Sequence, residues 1–358
     1  MQTNMLFADT QKNDNYFSLA ILASQLDGLT STLLMEFSLL PKPFDQILED
    51  HYRNRSQAKT VGLFIPWVIA DMVGFVSIPK MKKLIPSWLL LHAYILLVDD
   101  LVDEEASVNH FSLQIASGLL LQKSLSNLFS LVPSAIQSID KINEYFNETA
   151  VAVNTEISAV SGKPDPKELY KKMSIFKVWM FFLLYSEDRY EEIPHTESII
   201  NNFFNGLQLL DDVTDWEEDW NQNRNSFVLH QTFSRIKDYG VIGIIDRKNF
   251  TPNEIFLWMI KTSALVDTLD MARGFLGLTL VATQKRGRVM CSEFVQKGIK
   301  VIDLLKGNIE NFAKEMFIVG GNQHPFQKIN NDSVLVEKIE NLKGMIDKKL
   351  RVLVLSGG

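Results

Sequence analysis

Apolar residues recur at intervals of three and four along most of this chain, the spacing that places them on one face of an α-helix. Alternation of apolar and polar residues, which is typical of strands, is scarce. The pattern therefore predicts a nearly all-α protein. The predicted helices cover residues 16–40, 44–55, 61–75, 87–105, 107–129, 134–161, 166–190, 198–221, 226–239, 252–280, 289–319 and 334–355.

The breaks between these helices are marked by proline and glycine, as at Pro79, Pro86 and the Gly320-Gly321-Asn322 turn. None of them is long or polar enough to act as a linker between domains. We therefore predict a loose polar tail over residues 1–15 and a single helical domain over residues 16–358.

The most apolar windows, residues 61–78 and 88–98, are expected to be buried core helices. The first contains Asp71 and Pro66, and the second is too short to span a bilayer, so no stable membrane insertion is predicted. The polar start of the chain lacks the features of a signal peptide. Cys291 is the only cysteine, which excludes an internal disulfide and favours a reducing, cytoplasmic location.

The net charge is −7, which argues against nucleic acid as a partner. Much of the negative charge falls in two places. The first acidic segment, residues 99–104, reads Asp-Asp-Leu-Val-Asp-Glu, and the second, residues 211–219, reads Asp-Asp-Val-Thr-Asp-Trp-Glu-Glu-Asp. Each follows a strongly apolar helical run and so lies near the C-terminal end of a predicted helix. At that end the helix macrodipole makes carboxylates unfavourable. Solvated helix ends are the simplest explanation, but two such segments favour carboxylates that hold cations.

Helical spacing brings the carboxylates of each segment onto one face. Asp99 and Asp103 are four residues apart, and Asp211 is followed by Asp215 and Asp219 at four and eight. Apolar residues precede them on roughly the same faces, so each helix presents an acidic rim above an apolar wall.

Oxygen ligands of this kind suit Mg²⁺, which also bridges diphosphate oxygens. A calcium loop of the EF-hand type is excluded because neither segment has the required glycine. A di-iron bundle needs paired Glu-x-x-His motifs, and the sole match, Glu192 to His195, contains Pro194. The two segments thus indicate a metal-held phosphate at the mouth of an apolar cavity.

The segments resemble the two aspartate-rich motifs of the class I isoprenoid synthases, which include trans-prenyltransferases, squalene/phytoene synthases and class I terpene cyclases. Asp99-Asp100-x-x-Asp103 is similar to the first motif, and Gln208-x-x-Asp211-Asp212-x-x-Asp215 to the second. Tyr170, followed seven residues later by Lys177, is similar to the Tyr-to-Lys helix before the second motif. The resemblance covers about residues 58–227. It implies a single large helical bundle around a central apolar cavity, and it allows a homodimer.

The resemblance also implies the roles of the site residues and a small-molecule substrate, a prenyl diphosphate. Three Mg²⁺ ions are expected to bridge the substrate and the two acidic segments, and Lys177 is expected to bind the diphosphate, with Arg224 and Lys172 next in rank. The implied metal ligands are Asp99, Asp100, Asp103, Asp211, Asp212, Asp215 and Asp219. Candidates for the apolar wall that faces the carbocation are Tyr94, Phe176, Trp179, Phe182, Phe203 and Phe204, and Gln208 is expected beside the substrate. Arg189 and the basic run 285–288 are candidates for lid or sensor cations, although for the run a solvated helix start is the preferred interpretation.

Departures from the family pattern bear on the reaction. Chain-elongating relatives carry arginines shortly after the first motif, whereas residues 105–112 contain neither Arg nor Lys. The Gly-Lys-rich loop after the second motif is replaced by residues 221–225, Asn-Gln-Asn-Arg-Asn. A second diphosphate substrate would need its own cationic pocket. The preferred interpretation is therefore a terpene synthase, the alternative is a head-to-tail or head-to-head prenyltransferase, and a third hypothesis is a non-catalytic partner subunit.

Overall fold

The computed structural model describes residues 26–54, 60–75, 77–102, 110–157, 164–224, 226–239, 250–317 and 333–355. Within these ranges the chain forms fourteen α-helices and no strand, which confirms the predicted all-α class. The helices are α1 Leu26–Ser38, α2 Phe44–Asn54, α3 Thr60–Val73, α4 Ile78–Val102, α5 His110–Leu131, α6 Ile139–Ile157, α7 Lys177–Ser186, α8 Ile193–Thr214, α9 Trp216–Asn221, α10 Phe227–Ile236, α11 Pro252–Lys261, α12 Ala264–Lys285, α13 Val289–Phe317 and α14 Ser333–Leu355. Short 3-10 helices cover Pro133–Ser138, Leu169–Phe176, Tyr190–Glu192 and Lys237–Tyr239. The predicted tail over residues 1–15 lies outside the described residues.

Helix α8, which carries the start of the second acidic segment, lies at the centre of the bundle. It packs most extensively against α12, and it also contacts α3, α7, α10 and α14. Helix α12 packs in turn against α13, and α4, which carries the first acidic segment, packs against α5. Helix α8 is therefore in contact with helices from both halves of the chain.

The helix boundary predicted at Pro86 is absent from the structure. Helix α4 runs continuously through Pro86, so the predicted start at residue 87 is wrong. A proline inside a helix costs about 3 kcal/mol through a lost hydrogen bond and a clash. The residues that follow include Trp88 and Leu89, both fully buried, and burial of each such side chain stabilises by about 1.5–3 kcal/mol. Core burial therefore outweighs the local preference.

Three long predicted helices are instead divided. The helix predicted over 252–280 breaks at Ser263, which has a left-handed backbone with φ of 58°. The one over 198–221 breaks at Asp215, between α8 and α9. The one over 166–190 begins as the 3-10 helix Leu169–Phe176, where side chains supply hydrogen bonds to the backbone: the amides of Tyr170 and Ile175 donate to Asn205 Oδ1 and Thr149 Oγ1. These side-chain partners lie far away in sequence.

Helices α4 and α8 begin at the same end of the bundle, which we call the base. Lys80, in the first turn of α4, donates to the carbonyl of Ser186, shortly before α8. Arg189 Nη2 donates to the carbonyl of Val73, shortly before α4, at 2.7 Å. Asp99 lies 21 residues beyond Ile78 and Asp211 lies 18 residues beyond Ile193, the first residues of α4 and α8. At 1.5 Å per residue, the two acidic segments therefore begin about 32 and 27 Å along their helices.

A chain of aromatic contacts joins α4 to α8 between the base and the acidic segments. The ring centroid of Phe176 is 5.5 Å from Trp88 of α4 and 5.7 Å from Phe204 of α8. Trp179 of α7 lies 5.4 Å from Trp88. We call Trp88, Phe176, Trp179 and Phe204 the aromatic partition. Because all four side chains are buried, the partition fixes the separation of the two helices.

Among the residues that the structure describes, one helical window, Pro79–Val98, is long and apolar enough to cross a membrane by length and composition. Of that window, 61% is buried inside the protein, as in the core helix of a bundle. A bent pair of helices, Phe111–Leu131 with Pro133–Thr155, passes the same test only when the two are taken together.

Gly206 permits the close approach of α8 and α12. A Cβ atom at this position would lie 2.7 Å from Leu276 Cγ and 3.3 Å from the carbonyl oxygen of Ala272, both on α12. We expect Gly206→Ala to lower the free energy of unfolding by about 1–2 kcal/mol, because overpacking exceeds the gain in helix propensity. Gly277→Ala on α12, where a Cβ atom meets nothing within 4 Å, is the control and should be neutral or stabilising. Urea unfolding of both variants measures the difference, and equal effects would contradict the close packing.

Candidate functional site

The first acidic segment lies at the end of α4. Asp100 is almost completely buried, and its Oδ2 lies 2.6 Å from Nε2 of His51 on α2. This contact ties the acidic end of α4 to α2, which is distant in sequence. The side chain of Asp99 and the whole of Asp103 and Glu104 lie outside the described residues, so their role as metal ligands stays a prediction.

The second acidic segment crosses the break at Asp215 between α8 and α9, and backbone hydrogen bonds of helical spacing lie on both sides of that break. The amide of Asp215 donates to the carbonyl of Asp211, and the amide of Asp219 donates to that of Asp215, both at 2.9 Å. Asp211, Asp215 and Asp219 therefore follow one another on one face, as the sequence predicted. The Asp211 side chain is exposed, and Gln208 Nε2 donates to its Oδ2 at 3.0 Å.

Asp212 points in a different direction from Asp211. Its side chain is buried, and Oδ2 accepts a hydrogen bond of 2.8 Å from the backbone amide of Phe227, the first residue of α10. Ser226, at the N-cap position of α10, makes no capping hydrogen bond through its side chain. Asp212 therefore satisfies one of the amides at the start of α10. From its position in the motif, Asp212 was expected to bind metal with the other aspartates, and the contact with Phe227 was not predicted.

Of the aromatic candidates, Phe176, Trp179 and Phe204 belong to the aromatic partition. Phe203 is also buried and lies 6.0 Å from Phe294 of α13. Phe182, also on α7, packs against α5, and its ring centroid lies 5.1 Å from that of Phe129. Tyr94 lies between the partition and Asp99 on α4, and its partial burial raises the pKa of its hydroxyl. Trp88, at the centre of the partition, was not among the candidates, although its position in the apolar run before Asp99 could have indicated it.

The arrangement was compared with known proteins. No family model and no curated protein matches the sequence. Among solved structures, the chain is similar to a geranylgeranyl pyrophosphate synthetase from the archaeon Geoglobus acetivorans, with a TM-score of 0.63 and 14% sequence identity. The match covers 78% of this chain and 97% of that one. The chain has the isoprenoid synthase fold. At 14% sequence identity, this similarity establishes the fold alone and does not identify a reaction.

Lys177, the predicted diphosphate ligand, begins α7 in a buried ion pair. Its Nζ lies 2.8 Å from Oε2 of Glu148 on α6, and between the rings of Tyr145 and Tyr170, at 4.9 and 4.8 Å from their centroids. Ser174 Oγ donates to the same carboxylate oxygen at 2.6 Å. Burial lowers the pKa of Lys177, and Glu148 opposes that shift.

The two weaker cationic candidates occupy different positions. Lys172 lies in the 3-10 helix before Lys177. Arg224 follows α9, and its backbone amide donates to the carbonyl of Asp219 at 2.8 Å, so Arg224 is the closer of the two to the second acidic segment along the chain.

The basic residues considered as a lid lie at the base instead. Besides Arg189, which bonds to Val73, the guanidinium of Arg288 lies against Gly74: a Cβ atom there would be 2.1 Å from Nη2. Gly74 precedes α4, whereas Asp99 is near the other end of that helix. The hypothesis that Arg189 and Arg288 cover the acidic end is therefore wrong, and they stabilise the junction of α3 with α4.

The carboxylate oxygens of the second acidic segment are suitable ligands for Mg²⁺. Asp211, Asp215 and Asp219 offer carboxylate oxygens at least partly open to solvent on successive turns. Within the described ranges, no three His, Cys, Asp or Glu side chains converge on one point. Mg²⁺ is commonly bound through one or two carboxylates together with phosphate oxygens and water, a pattern that these spaced carboxylates fit.

Asp212→Ala should lower the free energy of unfolding by about 1–2 kcal/mol, because it removes a buried cap at the start of α10. Asp211→Ala is the matched control, since this neighbouring side chain is exposed, and its effect should stay within about 0.5 kcal/mol. Chemical unfolding followed by circular dichroism compares the two. A larger loss for Asp211→Ala would contradict the inward role of Asp212.

Glu148→Gln should lower the free energy of unfolding by about 1–2 kcal/mol at pH 7, because it leaves the buried ammonium of Lys177 without its counter-charge. Although burial acts in the opposite direction, the hydrogen bonds from Lys177 and Ser174 hold the pKa of Glu148 below its ordinary value of 4.5. Its contribution is therefore fully present above pH 4.5 and is lost as the pH falls through the lower pKa of the folded protein. Thermal unfolding at several pH values checks this, and a difference that grows in acid would overturn the assignment.

Proposed function

We propose that this protein is a Mg²⁺-dependent class I terpene synthase, which ionises a linear allylic prenyl diphosphate and rearranges or cyclises the carbocation. One observation carries the proposal. Within an isoprenoid synthase fold, two acidic segments lie near the far ends of helices that begin at a common base and are joined by buried aromatic side chains.

In this proposal Asp99 and Asp103 on one side, and Asp211, Asp215 and Asp219 on the other, hold the Mg²⁺ ions. When bound, the ions neutralise the diphosphate and favour its departure as a leaving group. Asp100 and Asp212 turn inward in the structure, so we assign them to holding the segments in place rather than to direct coordination.

The aromatic partition would support the second stage of the reaction. Trp88, Phe176 and Phe204 present π faces between the two helices, and such faces stabilise cations at short range. Their burial also excludes water, which would otherwise quench the carbocation early. In this proposal Tyr94, between the partition and Asp99 on α4, limits the depth available to the prenyl chain.

A prenyltransferase is the second candidate, and the solved structure named above, a geranylgeranyl pyrophosphate synthetase, favours it. The sequence favours the synthase, because residues 105–112 contain no Arg or Lys for a second diphosphate. The reactions differ in their substrates: a synthase consumes one diphosphate, whereas head-to-tail elongation requires isopentenyl diphosphate and head-to-head condensation joins two prenyl diphosphates.

The deciding experiment incubates purified protein and Mg²⁺ with geranyl, farnesyl or geranylgeranyl diphosphate, each with and without isopentenyl diphosphate. Gas chromatography–mass spectrometry detects hydrocarbons and alcohols directly, and phosphatase treatment reveals longer diphosphates. A cyclised or rearranged terpene from one substrate alone supports the proposal. Longer diphosphates formed only with isopentenyl diphosphate, or a head-to-head product, would establish the prenyltransferase, and no turnover under any condition would favour a non-catalytic partner subunit.

Asp211→Asn should reduce kcat by about a hundredfold or more, because it removes a charged ligand that acts on the leaving group. Its far-ultraviolet circular dichroism should be unchanged, since Asp211 is exposed. Asp303→Asn is the control: Asp303 is an exposed residue of α13 whose Oδ1 accepts from Arg273 at 2.7 Å, and its loss should leave turnover unchanged. Equal turnover in Asp211→Asn and the unmodified protein would exclude Asp211 from the metal site.

A further inference from the structure

Helix α9 is too short to be stable without contacts to other helices. It has only six residues, Trp216–Asn221, and an isolated helix of that length is unstable in water. Asp215 directly precedes it and Asp219 lies within it, so two of the three aligned carboxylates depend on contacts that α9 makes with other elements. Two buried rings supply part of the anchorage: Trp216 stacks on Phe256 of α11 at 5.7 Å, and Trp220 packs against Phe233 of α10 at 5.8 Å.

A single lysine from the distant helix α14 adds a polar anchor. Lys343 Nζ lies 2.6 Å from Glu217 Oε2 on α9, 3.1 Å from Asn253 Oδ1 on α11 and 3.3 Å from Glu340 Oε1 one turn earlier on α14. It also lies 5.3 Å from the ring centroid of Trp216. The side chain is 11% exposed, so these contacts are largely shielded from solvent. Lys343 thus connects three helices at one point.

The surroundings of Lys343 are strongly acidic. A depression of about 280 Å³ beside it is lined by residues of α8, α9, α11 and α14. Five carboxylates contribute to that lining, and Lys343 is the one cation among the described residues that do. The carboxylates belong to Asp215, Glu217, Glu218, Glu340 and Asp347. Without the ammonium group, acidic side chains of α9 and α14 would face each other and repel.

Lys343 bonds α9 through Glu217, which lies two residues before Asp219 in the helix. At 100° per residue, the side chains of Glu217 and Asp219 are about 160° apart around the helix axis. Asp215, at the start of α9, lines the same depression as Lys343. The lysine therefore fixes α9 beside Asp215 and on the opposite side from Asp219.

We propose that Lys343 is a positioning residue for the metal site: by bonding Glu217, it fixes α9 against α14 and so sets the geometry of Asp215 and Asp219. This inference rests on the proposed function, because it takes these aspartates as metal ligands. It makes the C-terminal helix, which lies far beyond both acidic motifs in the sequence, a determinant of metal affinity.

The test uses the full chain with Mn²⁺ and inorganic diphosphate as probes, and bound Mn²⁺ is measured by electron paramagnetic resonance. Lys343→Met keeps the apolar stem and removes the charge. We expect it to weaken Mn²⁺ binding about tenfold and to speed amide exchange in residues 216–221 by a similar factor. Lys343→Arg should restore most of both. Lys338→Met, on the same helix, is the matched control, because Lys338 is 52% exposed and pairs only at the surface with Glu315.

Unchanged Mn²⁺ affinity in Lys343→Met, or an equal loss in Lys338→Met, would overturn the positioning role while leaving the proposed function intact. If the unmodified protein bound no Mn²⁺, the proposed metal site would fail, and this inference with it. Should Lys343→Met not fold, Glu217→Gln removes the same ion pair from the side of α9 and is judged by the same two readouts.

Discussion

The contact of Phe176 with both Trp88 and Phe204 is the constraint on which the arrangement of the site depends. It joins α4 to α8 through side chains that are almost fully buried, so neither helix can slide without opening the core. Because both helices begin at the same base, this contact also sets how the two acidic segments stand relative to each other. The relative position of the two helices is therefore a property of the apolar core.

In each acidic segment, one aspartate of the Asp-Asp pair has a structural contact with another helix. Asp100 contacts His51 and Asp212 caps α10, so one member of each Asp-Asp pair secures the segment to another helix. In the second segment the other member, Asp211, is exposed and lies in line with Asp215 and Asp219. Carboxylates that are costly to place at helix C-termini are stabilised in this way by local structure as well as by the proposed cations.

The sequence predicted what depends on local periodicity: the helical class and the one-turn spacing of Asp211, Asp215 and Asp219 in the second acidic segment. It did not predict contacts made across the bundle. The partners of Asp100 and Asp212 lie 49 and 15 residues away, and Lys343 reaches Glu217 from the C-terminal helix. Periodicity carries no information about such pairs. It also placed a helix boundary at Pro86, where the burial of the following residues prevails over the local preference.

The central claim is that the two acidic segments together hold metal and diphosphate above the aromatic partition. The most direct test is a crystal structure with Mn²⁺ and inorganic diphosphate, in which anomalous scattering locates the ions. The account predicts Mn²⁺ between the segments, with ligands from Asp211, Asp215 or Asp219 on one side and from Asp99 or Asp103 on the other, and with diphosphate oxygens completing the coordination. Diphosphate bound elsewhere, or Mn²⁺ bound only in the depression beside Lys343, would contradict it.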